Sequence, residues 1–409
     1  MKLSAKHTLR ACYVGYLTQA LTINFAPLLF ITFEKEYDIS LGKISLLIGI
    51  SFLTQLLADA CAAKFPNLFK PRAFAIIAHI LAVIGLTGYA YLPRILPSAY
   101  LGLVICVVIT AVGGGIIEVL ISPIAEACPT TRKSANMSLL HSFYSWGQAG
   151  VVLISTLFFA AFNISHWQIL ACIWAIIPAI GAISFIFVPI YTLPFLSKEK
   201  KEKSNTKGLF ALFFLMMFCA GAAEMSMSQW ASSFAESGLG VPKAIGDILG
   251  PCAFGIFMGS ARVFYAKCSE KIRLERFMLI SAVLCLVSYL LSALAAPPII
   301  SLLGCALCGL SVGIMWPGTY SLAAKKIPFG GVRMFALLAL AGDIGCLVGP
   351  TGAGWIADAA GENLKLSFLI CTIFPIAIIS IIISIFGTKN HSLWFSLFYW
   401  GYRSYARKE

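Results

Sequence analysis

The chain has 409 residues, of which 59% are hydrophobic and 11% charged, and it carries a formal net charge of +13. This composition lies outside the range of soluble globular proteins and excludes a soluble globular core. The positive charge would indicate a nucleic-acid partner only if it formed one continuous basic surface. The placement of the charges along the chain predicts no such surface and no nucleic-acid partner.

Taken in order, the apolar stretches of the chain are long enough to cross a lipid bilayer. A hydrocarbon core of about 30 Å requires about 20 apolar residues in helical form. Because no water reaches backbone groups inside lipid, each stretch is predicted to be a helix, and the predicted fold class is an all-α membrane protein with twelve transmembrane helices. The predicted spans are 11–33, 41–63, 73–92, 99–125, 137–161, 166–191, 208–234, 244–266, 276–296, 299–323, 333–357 and 364–387.

The positive charges are distributed unequally between the links. About 24 of the 30 lysines and arginines fall in the termini and the links on one side, and about five fall in the links on the other side. Cytoplasmic links carry an excess of Lys and Arg. We therefore expect a multi-pass protein of the inner or plasma membrane with both termini in the cytoplasm, and the bilayer itself as a partner.

One long polar link, LSKEKKEKSNTK, divides the predicted spans into two groups of six. Two groups of six helices are typical of transporters that are built from duplicated bundles and bind their substrate between the halves. The predicted organisation is an N-terminal six-helix bundle (1–195), a charged cytoplasmic linker (196–207), a C-terminal six-helix bundle (208–388) and a basic cytoplasmic tail (389–409).

Three glycine-rich segments carry a resemblance to a known family. GGGIIEVLISP (Gly113 to Pro123), GAAEMSMSQW (Gly221 to Trp230) and GLSVGIMWP (Gly309 to Pro317) resemble the fourth, seventh and tenth helices of the fucose permease-like (fucose:proton symporter) branch of the major facilitator superfamily. The resemblance implies two six-helix bundles with inverted repeats, transport by alternating access, monomeric function and no enzymatic activity. The loop motif G-x-x-x-D-R-x-G-R-R of the superfamily is degraded here around Asp59, with an equally loose second copy beginning at Arg262, and these two are the candidate gate residues.

Ionisable residues inside the spans are the first candidates for chemistry. Glu118, Glu224 and Asp343 lie well inside their spans, whereas the basic residue Arg262 lies near the cytoplasmic end of its span. A charged group is costly at membrane depth, so an acid there faces a cavity or a partner and can carry a proton in its neutral form. The resemblance implies a proton-linked glutamate at Glu118. All three acids are candidates for proton coupling, and hydrogen bonding to neighbouring helix backbones is the structural alternative.

Neutral polar and aromatic side chains in the spans complete the predicted binding site. His141, Tyr144 and Gln148 share one face of the fifth span. Aromatic faces stack on the apolar face of a sugar ring while amides and carboxyls bind hydroxyls, and no basic residue is predicted in the central cavity for an anionic solute. The predicted binding residues of this neutral, sugar-like solute are Gln19, Asn24, Glu118, His141, Tyr144, Gln148, Glu224, Gln229, Trp230 and Trp316.

The sequence also limits the energy source. It has no G-x-x-x-x-G-K-[ST] motif for ATP, and the pair Cys305 and Cys308 has no acidic or histidine companion for a metal, so we expect no cofactor and no metal. The expected function is proton-coupled symport of a neutral small solute, with a sugar favoured. Sodium-coupled sugar symport, efflux of hydrophobic or cationic compounds, and a receptor or lipid-translocating protein are the alternatives.

Overall fold

The computed structural model describes residues 3–64, 70–129, 133–191, 207–268, 272–327 and 331–386. Apart from Lys207, the predicted linker lies outside the described residues, and so does the predicted basic tail.

Twelve helices are long and apolar enough to cross a membrane, and each of them coincides with one predicted span. The prediction of an all-α fold is confirmed, since the described residues contain helices and their connections but no strand. The helices are α1 (Ala5–Tyr37), α2 (Leu41–Lys64), α3 (Pro71–Ile95), α4 (Ala99–Ala127), α5 (Lys133–Phe162), α6 (Ile164–Phe187), α7 (Lys207–Gly238), α8 (Lys243–Tyr265), α9 (Leu274–Leu294), α10 (Pro298–Lys326), α11 (Gly331–Ala359) and α12 (Leu364–Phe386).

Several of these helices are locally irregular where proline or a change of hydrogen-bond pattern intervenes. In α1, a 3₁₀ turn at Ala26–Leu29 contains Pro27, which has no N–H to donate. In α8, a π-helical turn at Ile248–Cys252 contains Pro251, and a second such turn, Phe234–Gly238, ends α7. The regular α-helical hydrogen-bond pattern is therefore interrupted inside α1 and α8 and at the end of α7.

Helices α1–α6 pack into one group, the N-bundle, and α7–α12 into a second, the C-bundle. The pairs α3/α4, α2/α4 and α1/α5 of the N-bundle recur as α9/α10, α8/α10 and α7/α11 in the C-bundle. The same neighbours thus recur six helices later, as duplicated bundles require.

The bundles meet through α2 with α11 and α5 with α8. We call the side where α1 begins and α12 ends the terminal face, and the other side the opposite face. Near the opposite face, Ser45 of α2 packs on Gly354 of α11, and Thr351 of α11 packs on Gly49 of α2. The glycines let the helices approach closely. Both hydroxyls are buried there without a hydrogen-bond partner in the described part of the chain.

Arg72, which follows the degraded motif around Asp59, has a role within the N-bundle. From the first turn of α3 its guanidinium donates to the carbonyls of Phe185 (3.1 Å), Ile186 and Val188 (2.8 Å) at the end of α6. The last carbonyls of a helix have no partner inside that helix. Arg72 supplies a hydrogen-bond donor for these carbonyls and joins α3 to α6.

Candidate functional site

A hydrogen bond between α1 and α4 forms the centre of the candidate site. Gln19 Nε2 donates to Glu118 Oε2 over 2.8 Å. Gly114, one turn before Glu118, leaves room for Thr22 of α1, and Gly113 lies against the backbone of α3. The glycine-rich segment thus holds α4 close to its neighbours and directs Glu118 toward α1.

A second pair lies one helical turn away from the first. Tyr16 precedes Gln19 by three residues and Ser122 follows Glu118 by four, and their hydroxyl oxygens are 2.7 Å apart. The ring of Tyr16 meets the imidazole of His141 edge to face, with 5.2 Å between the ring centroids. Sequence reasoning did not single out Tyr16 or Ser122, although helical spacing from the two candidates could have found them.

The three predicted acids come together from both bundles. Glu118 of α4 interacts electrostatically with Asp343 of α11 and with Glu224 of α7. Glu224 is 3% exposed, and its Oε2 has no hydrogen-bond partner within the described residues. Glu118 and Asp343 are half-buried. Acids that are distant in sequence therefore interact electrostatically across the boundary of the bundles.

The polar stripe of α5 faces the interior, as its spacing predicts. Gln148 Nε2 donates to Ser228 Oγ of α7 over 2.8 Å, across the boundary between the bundles. The Asn24 side chain interacts with the Tyr144 hydroxyl, and its Nδ2 donates to a backbone carbonyl of α1 over 2.8 Å. His141 is exposed, and its ring contacts that of Tyr16 in α1.

Arg262 lies closer to the acids than the sequence indicates. Its guanidinium donates to the Ser145 hydroxyl (2.9 Å) and the His141 carbonyl (3.2 Å) of α5, and to the Gly313 carbonyl (3.1 Å) of α10. It also interacts electrostatically with Glu224. Arg262 therefore joins the two bundles in the half of the molecule toward the terminal face, a position suited to its predicted gate role.

The two predicted tryptophans differ in accessibility. Trp316 is half-buried and its ring lies against Gly342 of α11, beside Asp343. Trp230 is 0% exposed, and its indole N–H donates to the Pro350 carbonyl over 2.8 Å. Of the two rings, only that of Trp316 is partly exposed in this conformation.

The remaining candidates are less well defined. Gln229 is buried, and its amide nitrogen has no partner in the part of the chain that the structure describes. Asp59 lies in α2, but its side chain falls outside the described residues. Within the described residues no three His, Cys, Asp or Glu side chains are placed to hold a metal ion. The site is thus a set of carboxyls, amides, hydroxyls and aromatic rings between two bundles, which can bind hydroxyl groups and exchange protons.

Comparison with known proteins shows the family. The model of the Major Facilitator Superfamily matches residues 12–350. No curated protein matches the chain in sequence.

Solved structures of similar fold cover nearly the whole chain. The xylose transporter XylE from E. coli is 14% identical with a TM-score of 0.74, over 93% of this chain and 99% of that one. The E. coli fucose:proton symporter FucP is 16% identical with a TM-score of 0.62, over 91% and 97%. The nucleoside transporter NupG is 14% identical with a TM-score of 0.70, over 93% and 100%. At such identities the likeness to solved structures shows only the shared fold. The family match shows that the chain belongs to the major facilitator superfamily and is a membrane transporter, not an enzyme.

Proposed function

We propose that this transporter is a proton-coupled symporter that imports a neutral small solute, most simply a sugar, by alternating access. One observation carries the proposal: Glu118 of the N-bundle is held by Gln19 and interacts electrostatically with two acids of the C-bundle. Like charges repel, so a proton bound to one of these carboxyls lowers the energy of the group. A carboxyl between two moving bundles can take a proton from one side of the membrane and release it to the other.

The neighbours of Glu118 supply the contacts that a polyhydroxylated solute requires. Amides from both bundles (Gln19, Gln148 and Gln229) and the Tyr144 hydroxyl can exchange hydrogen bonds with hydroxyl groups, and Trp316 offers a ring to stack on. Two of the solved proteins of similar fold are named as proton symporters, one of xylose and one of fucose. In this proposal the protein works as a monomer in the inner or plasma membrane, with both termini and the 196–207 linker in the cytoplasm.

The proposal is tested by Glu118→Gln, which imitates the protonated acid. In proteoliposomes, exchange of the solute down its own gradient should survive, while accumulation driven by a pH gradient should be lost. The matched control is Glu126→Gln, the same change two turns farther along α4, which should accumulate solute as the parent does. Accumulation by Glu118→Gln under an imposed pH gradient would place the coupling proton elsewhere.

A specific observation also favours a second candidate, transport of a cation. Three acids (Glu118, Glu224 and Asp343) converge with one basic residue, Arg262, nearby. Carboxyls suit sodium, and carboxyls with aromatic rings suit organic cations. Uptake of neutral sugars, polyols and cationic drugs under separate proton and sodium gradients distinguishes sugar symport driven by protons, sugar symport driven by sodium, and efflux of cations.

A further inference from the structure

The opposite face carries links between the bundles that the binding site does not involve. The first joins α11 to α2. The Asp358 Oδ1 accepts a hydrogen bond from the backbone N–H of Gly42 over 3.1 Å. Gly42 lies in the first turn of α2, where N–H groups have no partner within the helix and the helix dipole favours a negative charge. A carboxylate of the C-bundle therefore caps a helix of the N-bundle.

The second link joins the ends of α1 and α7. Lys35 Nζ lies 3.7 Å from Glu236 Oε1, and Lys243 Nζ lies 3.8 Å from Glu236 Oε2. The Glu236 side chain is 25% exposed and that of Lys35 is 74% exposed. Glu236 thus lies between a lysine of each bundle.

The third link joins α8 to α5 and is buried. Asp247 is 1% exposed and pairs with Lys243 over 3.2 Å, within its own helix. Its Oδ1 accepts from the Ser232 hydroxyl over 2.5 Å, and its Oδ2 accepts from the Thr156 hydroxyl of α5 over 3.4 Å. One carboxylate therefore holds three donors, of which Thr156 belongs to the other bundle.

The three links have the same polarity. In each of them a carboxylate of the C-bundle meets a hydrogen-bond donor or a cation of the N-bundle. We propose that Asp358, Glu236 and Asp247 form a lock, here called the opposite-face lock, that holds the bundles together on this face and must release before the transporter opens there. The three acids are positioning residues for alternating access, because they act on the bundles and not on the solute. The proposal requires only the superfamily fold, and it stands or fails independently of the sugar and the proton.

Another acid at the opposite face provides a control, because removing its charge should have the opposite effect on closure. Glu362 follows α11 in the C-bundle, and it interacts electrostatically with Glu34 of α1, a like charge across the boundary. If the acids act through their specific donors, removing the charge of Glu362 should leave the face closed or favour closure. If only the total negative charge of the opposite face matters, Glu362→Gln should act as Glu236→Gln does.

The test measures how readily the α2/α11 contact opens. Thr351 is 7% exposed at this contact, so in Thr351→Cys the thiol becomes reactive only when the helices separate. A membrane-impermeant maleimide is added to intact cells and, separately, to inverted vesicles, and labelling at position 351 is followed by mass spectrometry. Using both preparations identifies labelling from the opposite face whichever way the protein is inserted.

The lock variants should label faster from the opposite face than Thr351→Cys alone. Asp358→Ala and Glu236→Gln should each raise the rate about two- to fivefold, as expected for exposed links to charges. Thr156→Val, which removes a donor at nearly constant shape, should also raise it, whereas Glu362→Gln should not. Unchanged rates in all three lock variants, or an equal rise in Glu362→Gln, would overturn the proposal.

A second measurement avoids the added cysteine. Amide hydrogen exchange in the first turn of α2 should be faster in Glu236→Gln and Thr156→Val, while the melting temperature stays near that of the parent. In the described part of the chain neither residue forms a hydrogen bond or ion pair with that turn. A lower melting temperature without faster exchange in this turn would show a merely structural role, and the lock would be rejected.

Discussion

Trp230 and Trp316 lie in similar sequence segments but in different structural environments. Both tryptophans are in glycine-rich segments, and the sequence predicts that both stack on the solute. In the structure Trp230 is enclosed between Phe30 of α1, with 5.7 Å between ring centroids, and α11. A stacking role for Trp230 requires that the bundles separate, whereas Trp316 is already partly exposed in this conformation.

The two tryptophans should therefore respond differently to truncation. Trp316→Ala should weaken binding of a sugar or polyol by about 1 kcal/mol or more, because a stacking surface is lost. Trp230→Ala should lower the stability of the ligand-free protein by about 3 kcal/mol or more, because it leaves a cavity. Thermal unfolding with and without solute separates the two effects, since bound solute stabilises in proportion to its occupancy. Equal loss of solute-induced stabilisation with no loss of basal stability in Trp230→Ala would contradict this assignment.

At this scale the sequence predicted the residue types better than their partners. The cost of burying charge identified Glu118, Glu224 and Asp343, and the helical spacing of α5 identified its interior face. The pairing of Glu118 with Gln19 and the proximity of Arg262 to Glu224 were not predictable, because both depend on how helices rotate about their axes. Helix rotation is set by packing between segments that are distant in sequence.

Single glycines control how closely the helices meet. A Cβ at Gly354 would overlap Ser45 Oγ and the ring of Trp230, whereas a Cβ at Gly352 would meet no atom within 4 Å. Both glycines lie on α11, so the helix itself supplies a matched pair of positions. One faces the N-bundle and the other faces open space.

We expect opposite effects from alanine at these two positions. Gly354→Ala should force α2 and α11 apart and cost about 1–3 kcal/mol, as overpacking of a filled contact does. Gly352→Ala should be neutral or stabilise by about 0.5–1 kcal/mol, because alanine favours the helix. Melting temperatures of the two variants in the same detergent provide the measurement. A stable Gly354→Ala with an unchanged melting temperature would show that the close contact between α2 and α11 is not required.

The helices themselves followed from hydropathy, because a bilayer of fixed thickness sets their length. Proline marks two of the irregular turns, at Pro27 and Pro251. The π-helical turn that ends α7 carries no such signal. The order in which helices pack came from the resemblance to a family and not from composition, since apolar helices of similar length can pack in many orders.

For the whole molecule, the distribution of charge makes a prediction about sidedness. Epitope tags at both termini and in the 196–207 linker should all be reachable only from the cytoplasm, because the positive charges of the chain concentrate in these links. Tag accessibility in intact and permeabilised cells is the measurement. Termini on different sides would contradict the arrangement of two groups of six.

The opposite-face lock could not be foreseen from sequence alone. Asp358 and Gly42 are 316 residues apart, and neither belongs to a recognisable motif. Acids and lysines at helix ends are common, and only the assembled bundles show which of them meet across the boundary.

The two buried hydroxyls between α2 and α11 have a thermodynamic consequence. Ser45 and Thr351 lie in the closed contact without partners in the described chain, and a polar group in that state costs about 1–3 kcal/mol. Water that enters when the helices separate would hydrogen-bond both hydroxyls and recover that free energy, which offsets the carboxylate links lost at the same moment. The two hydroxyls therefore reduce the difference in free energy between the closed and open conformations. The smaller that difference is, the more a solute with a modest preference for one conformation shifts the population of the whole transporter.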